Sequence, residues 1–217
     1  GTVDSSNNSI SFGTAVVFES ADTRELAVTF DSNSNRVVVA YRDVGNSNYG
    51  TAVVGTVDPS DNSISFGTAV VFESASTYDT SASFDSNSNK VVIAYSDNGN
   101  SNYGTAIVGT VDSSDNSISF GSPAVYESGH ATFNSIVFDS NANKVVIAYN
   151  DNGNAKHGTS AVGTVSGTSI SFGSNVVWDA TEVGECHMTF DSSVNKVVIA
   201  YEDESNSNYG TVIEGTV

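Results

Sequence analysis

The sequence predicts an all-β chain made of four copies of one four-stranded unit. Two observations carry this. The tripeptide Gly-Thr-Val recurs at residues 1, 55, 109, 163 and 215, at spacings of 54, 54, 54 and 52. A fixed period of this size marks a repeat architecture. Within each unit, runs rich in Val, Ile, Phe and Tyr alternate with clusters of Asn, Asp, Ser and Gly, and no 3.6-residue apolar pattern persists for three turns. Residues 1–20 and 55–74 differ only at Ser5/Pro59 and Asn7/Asp61. Columns that hold across copies therefore report the scaffold. Columns that break report something the scaffold does not need.

The second unit shows the strands in order. Ser81–Asp85 is short and ends in a Ser-Asn-Ser-Asn turn. Lys90–Asp97 is a continuous apolar run, as in a strand buried on both faces. Tyr103–Val111 follows the turn Asn-Gly-Asn-Ser-Asn, and Ser117–Glu127 alternates around a glycine that predicts a bulge. Four antiparallel strands per unit make one propeller blade, so the expected fold is a four-bladed β-propeller.

The stretch from Phe84 to Asp97 (FDSNSNKVVIAYSD) recurs as FDSNSNRVVVAYRD, FDSNANKVVIAYND and FDSSVNKVVIAYED. In this it resembles the NHL and sialidase-type repeats of β-propellers. The resemblance covers every unit and implies the fold. The sialidase Asp-box, Ser-x-Asp-x-Gly-x-Thr-Trp, is absent, so sialidase chemistry is not implied.

Propeller order makes residues 1–217 a single domain, with blades at about 21–74, 75–128, 129–180 and 181–217 plus 1–20. The innermost strands are expected to begin near Leu26, Ser81, Ser135 and His187. The last blade then has three strands of its own, ending at Thr211–Val217. Its outer strand is expected from residues 9–20, a clasp that closes the ring and removes exposed edges. The rival arrangement is an open stretch of a longer array. Gly1 and the repeated terminal Gly-Thr-Val fit a segment excised from something longer.

The bulk composition narrows the partners. The formal charge is −18, from 25 acidic and 7 basic residues. Such a surface repels phosphate backbones and anionic lipid, which argues against nucleic-acid binding. No apolar stretch approaches transmembrane length, so no membrane insertion is expected. One cysteine, Cys186, allows no internal disulfide. An extracellular or surface-associated location is favoured.

The repeated turns split into two sets on opposite faces. One carries Asp31/Asn33/Asn35 and its copies from Asp85, Asp139 and Asp191. That spacing matches the opening of a calcium loop, yet Arg36, Lys90, Lys144 or Lys196 stands where glycine belongs, and no acid occupies the twelfth position. The expected role is an Asx-bonded hairpin turn without a cofactor; Ca²⁺ is the one ion the spacing would admit. The other face carries Asp43…Tyr49, Asp97…Tyr103, Asp151…His157 and Asp203…Tyr209. Amide, carboxylate and ring together are what sugar sites use, so Tyr49, Tyr103 and Tyr209 are candidate ligand contacts. The same residues also make a capped turn with a packed aromatic.

The copies diverge most where one blade passes to the next. This column set includes Arg24, Glu25, Tyr78, Asp79, His130, Glu185, Cys186 and His187. In a propeller these positions converge at the channel mouth, which predicts one asymmetric site. Two carboxylates there would suit a glycosidase, their separation deciding the outcome. Histidines, Cys186 and an acid would suit a transition metal, and Cys186 with a histidine a nucleophile pair. No spacing is diagnostic, and Cys186 and His187, being adjacent on a strand, point to opposite faces. The reading that fits best is a binding module for carbohydrate or a cell-surface polymer. The alternatives are a structural or adhesive segment of a larger surface or phage-type protein, and a glycoside hydrolase using the channel-mouth acids.

Overall fold

In the computed structural model, which describes residues 1–217, each Phe-Asp turn folds on its own aspartate. The Asp31 carboxylate accepts the N–H groups of Asn33 and Ser34, both at 2.9 Å. Asn35 takes the left-handed φ of 54° that closes the turn. Strand β3 (Thr23–Asp31) thereby pairs antiparallel with β4 (Arg36–Asp43). Asp85 and Asp139 repeat the arrangement, and Asp191 accepts from Ser193. These oxygens serve their own turns, and no group of three or more His, Cys, Asp or Glu side chains is arranged to hold a metal ion.

The next turn is also self-capped. Asp43 accepts the N–H of Asn46 at 3.1 Å across a 3₁₀ turn, leading into β5 (Tyr49–Asp58). A third turn, in which Asp58 accepts from Ser60 and Asp61 from Ser63, leads to β6 (Ser63–Phe66). After Gly67 the chain enters β7 (Val70–Asp85), whose first half pairs with β5. Its second half pairs with β8 (Lys90–Asp97), the second strand of the following blade. No loop separates the blades. One 16-residue strand leaves one blade and opens the next.

The pattern repeats twice. β9 (Tyr103–Asp112), β10 (Ser117–Phe120) and the start of β11 (Ala124–Asp139) complete the second blade. β12 (Lys144–Asp151), β13 (His157–Ser166), β14 (Ser169–Phe172) and the start of β15 (Val176–Asp191) complete the third. The second half of β15, β16 (Lys196–Asp203) and β17 (Tyr209–Gly215) form a fourth, three-stranded blade. At the other end, β1 (Thr2–Asp4) and β2 (Ser9–Ser11) form a separate hairpin.

The expected clasp is not made. Ser9–Ser11 pairs with Thr2–Asp4, residues 12–22 join no strand, and β17 pairs with β16 alone. The inner strands pack in chain order, β3 on β7, β7 on β11 and β11 on β15; β3 and β15 do not meet to any comparable extent. The physical reason lies in residues 1–22, which are anchored on the first blade. Phe18 packs edge-on to Tyr41 with ring centroids 5.2 Å apart, and Thr2 Oγ1 donates to Asn62 Oδ1 at 2.7 Å.

The core lies between blades. The run Val91–Tyr95 is fully buried because its two faces meet the preceding and following blades. Burial of each such side chain is worth roughly 1.5–3 kcal/mol, which makes blade stacking the main cohesive force. Tyr41, Tyr95, Tyr149 and Tyr201 each donate a hydroxyl to the acid 22 residues earlier: Glu19, Glu73, Glu127 and Asp179, at 3.5, 3.2, 2.9 and 2.7 Å. The end blades leave apolar surface open, with Leu26, Val28 and Phe30 exposed on β3 and Tyr209 and Val212 on β17.

Candidate functional site

Where one blade passes to the next, every inner strand carries a bulge. Register breaks between Arg24 and Ala27, Tyr78 and Ser81, Thr132 and Ser135, and Val183 and Cys186. Glu25, Asp79 and Phe133 occupy one column at left-handed φ of 52°, 50° and 54°. Side chains other than glycine and asparagine seldom take this conformation, and β-bulges re-aim the side chains they displace.

These bulges connect from blade to blade. A Glu25 carboxylate oxygen accepts the N–H of Asp79 at 3.1 Å. Asp79 in turn accepts from the backbone of Phe133, and the Phe133 carbonyl accepts the Cys186 Sγ–H at 3.1 Å. Arg42 lies 3.6 Å from Glu25 and stacks its guanidinium over the Tyr78 ring, 4.4 Å from the centroid. Ser96 and Asn150 hold the same strand position as Arg42. They donate to the carbonyls of Ala131 and Val183 in the following blade.

The last steps of this series enclose a polar cavity of about 170 Å³, lined by Asp79, Thr80, Phe133, Asn134, Glu185 and His187, with Cys186 in its wall. Tyr126 Oη donates to Asn134 Oδ1 at 2.8 Å, while Asn134 Nδ2 and Thr80 Oγ1 are buried without a partner. Phe133 holds part of its ring open to solvent. Burial raises the Asp79 carboxyl above the ordinary aspartate range, with the nearby Glu25 charge adding to the rise; the Phe133 N–H, His130 and Arg42 act against it. His187 Nε2 and Glu185 Oε1 lie 3.2 Å apart in the open. Burial pushes the Cys186 thiol up to about 12. A thiol of that kind is no activated nucleophile.

Of the positions singled out from sequence, Asp79, Glu185 and His187 line the cavity, and Glu25 and Tyr78 stand one step away beside Arg42. His130 is exposed next to Tyr103 on the adjoining ladder. Arg24 bonds its neighbour Asp22 in solvent at 3.1 Å, apart from the cavity. Tyr49, Tyr103 and Tyr209 do not line it, and Asp43 and Asp203 cap their own turns. Arg42 lies outside the divergent inter-blade columns, and Thr80, Phe133 and Asn134 lie within them without standing among the candidates. The signal was present: residues 42, 96, 150 and 202 read Arg, Ser, Asn and Glu inside an otherwise constant run.

Strand order and blade stacking define the class as a β-propeller-type, all-β fold. The sequence matches no family model and no curated protein. Among solved structures, the chain is similar to the NanB sialidase from Streptococcus pneumoniae (TM-score 0.54, 15% identity), covering 88% of this chain and 29% of that one. It is similar to an exo-β-1,3-galactanase from Phanerochaete chrysosporium (TM-score 0.53, 10% identity), covering 88% and 45%. A third similarity is to the periplasmic gluconolactonase of Pseudomonas aeruginosa (TM-score 0.52, 12% identity), covering 99% and 77%. The chain thus spans less than half of the sialidase and the galactanase. At these identities the likeness establishes the fold.

Proposed function

We propose that the chain is a carbohydrate-binding module, and that its site is the cavity between the inner strands of the second, third and fourth blades. The observation that carries this is the pair of buried, unpartnered polar atoms, Asn134 Nδ2 and Thr80 Oγ1, beside the exposed Phe133 ring. Buried polar groups without partners are rare in folded proteins. An amide donor, a hydroxyl and carboxylate acceptors next to an aromatic ring suit sugar hydroxyls over an apolar sugar face. Two of the similar folds belong to proteins whose names, sialidase and galactanase, denote action on glycans. A glycan or surface polymer as ligand fits an extracellular or surface-associated setting, and a net charge of −18 favours neutral over anionic glycans. The test is glycan-array screening followed by titration calorimetry. Binding should weaken at least about tenfold in Asn134→Ala and Phe133→Ala. Silence across broad panels, or binding indifferent to both variants, defeats the reading.

One observation favours glycoside hydrolysis as a second reading. Asp79 is half-buried and keeps its proton to higher pH than a free carboxyl, while Glu185 is exposed on the same cavity. An acid and a base in different environments are what glycosidases require. Aryl-glycoside turnover abolished by both Asp79→Asn and Glu185→Gln would favour it over binding alone.

A further inference from the structure

The first two inner-strand bulges carry the same kind of acid and treat its charge differently. Glu25 and Asp79 hold one column of the repeat, and each accepts the backbone N–H of the bulge one blade on. In the first blade Arg42 balances the acid. Its guanidinium lies 3.6 Å from Glu25 and over the Tyr78 ring, 4.4 Å from the centroid. Carboxylate, cation and aromatic face make one trio. In the second blade Ser96 stands at the position of Arg42, and its hydroxyl bonds the Ala131 carbonyl. Asp79 makes no salt bridge.

Asp79 and the Phe133 ring both face the polar cavity. Two parts of the trio around Arg42, a carboxylate and an aromatic face, thus recur on the cavity wall with no side-chain cation between them. No lysine or arginine lines the cavity, and His187 lies against Glu185 at 3.2 Å. Asn134, only 9% exposed, has its Oδ1 held by the Tyr126 hydroxyl at 2.8 Å, while its Nδ2 is unpartnered, as is Thr80 Oγ1. Leu26 stands at the position of Thr80 in the first blade, so the polar wall belongs to this cavity and not to the repeat. At about 170 Å³ the cavity is smaller than the roughly 300–1,000 Å³ of drug-sized sites, which suits one sugar residue and not a stretch of chain.

We propose, resting on the carbohydrate-binding reading above, that the ligand of this cavity is an amino sugar: a hexosamine residue whose free ammonium group sits beside Asp79 and Phe133 as Arg42 sits beside Glu25 and Tyr78. The ammonium donates to Asp79, and ring hydroxyls accept from Asn134 Nδ2 and bond Thr80 Oγ1. An ammonium carries donors only, which matches a carboxylate whose one backbone donor is the Phe133 N–H. A neutral hydroxyl could donate there too, but a charged donor makes a bond roughly twice as strong and offsets a half-buried charge. The net charge of −18 draws cationic sugars toward the surface.

The test is titration of the full chain with the methyl glycosides of glucosamine and galactosamine, each against its neutral congener, methyl glucoside or methyl galactoside. Salt at about 150 mM screens attraction to the acidic surface beyond about 8 Å. At least one amino sugar should bind about tenfold more tightly than its congener, and Asp79→Asn, which keeps an acceptor for the Phe133 N–H, should bring that pair within about threefold. Asp58→Asn removes the same charge from an exposed turn and should leave the preference unchanged. Equal affinity for amino and neutral sugars would overturn the amino sugar and leave carbohydrate binding standing. A preference that survives Asp79→Asn, or falls as far in Asp58→Asn, would overturn it as well, by tracing it to the surface at large. If neither pair binds, the amino sugar is overturned whatever the glycan array returns, and the array alone decides carbohydrate binding.

Discussion

The Glu25 carboxylate accepts the backbone N–H of Asp79 at 3.1 Å, one blade and 54 residues further along the chain. The same carboxylate faces Arg42, whose side chain is only 8% exposed. Glu25 therefore holds a strained bulge in the next blade and balances a nearly buried cation. Glu25→Ala should cost about 1–3 kcal/mol, because a buried guanidinium is left with only the Tyr78 ring as partner. Glu25→Gln keeps an acceptor for the Asp79 N–H and should cost less. Urea unfolding midpoints at constant slope measure both; a neutral Glu25→Ala would mean the bulge is held by packing alone.

One glycine column distinguishes the closed blades from the open one. A Cβ on Gly50 would fall 2.5 Å from the Phe72 ring, and the same column meets Tyr126 at Gly104 and Trp178 at Gly158. At Gly210 a Cβ would meet nothing within 4 Å. Gly50→Ala should therefore cost about 1–3 kcal/mol by overpacking, while Gly210→Ala in dilute solution stays within about 0.5 kcal/mol. Thermal melts of the two variants compare them directly. Equal losses would mean that an aromatic covers Gly210 as well.

The turns were legible because their physics is local. An aspartate two residues before the N–H it accepts can be read from spacing, and a continuous Val-Val-Ile-Ala-Tyr run reads as burial on both faces. The bulge column was not legible. Glu25, Asp79 and Phe133 have no intrinsic preference for left-handed backbone, which neighbouring strands impose. The donors Ser96 and Asn150 act only once blades are stacked, as do the tyrosine–acid pairs from Tyr41–Glu19 to Tyr201–Asp179. Ring closure depends on how far each blade turns from the last. That angle is set by the packing of whole faces, so no short motif reports it, and the expectation built on residues 9–20 failed there.

Asp79 makes stability depend on pH in a defined sense. Burial lifts its folded value above the unfolded one, so the native state holds this proton more tightly. The associated stability is complete below the ordinary aspartate range and is lost as pH rises through the raised value. Asp79→Asn keeps an acceptor for the Phe133 N–H without the buried charge. It should be more stable than the parent at neutral pH, and the difference should shrink in acid. Glu73 and Asp151, also raised by burial, act in the same direction in both proteins, so the comparison isolates Asp79. Urea midpoints of both proteins across that range decide it; a constant difference would place the ionisation elsewhere.

Cys186 separates a structural reading of the bulge column from a chemical one. Its side chain is 2% exposed, its Sγ–H bonds the Phe133 carbonyl, and burial holds the thiol up to about 12. Alkylation requires the thiolate and an approach path, and the native state denies both. Iodoacetamide at mildly alkaline pH should leave the folded chain unlabelled and modify it fully in urea. The labelling midpoint should coincide with that of the tyrosine fluorescence transition. Labelling that runs ahead of unfolding would mean the bulge opens locally, exposing the cavity wall while the blades stay stacked. Rapid labelling of the native chain would give Cys186 the activated thiolate that its surroundings argue against, and would reopen nucleophilic chemistry at this cavity.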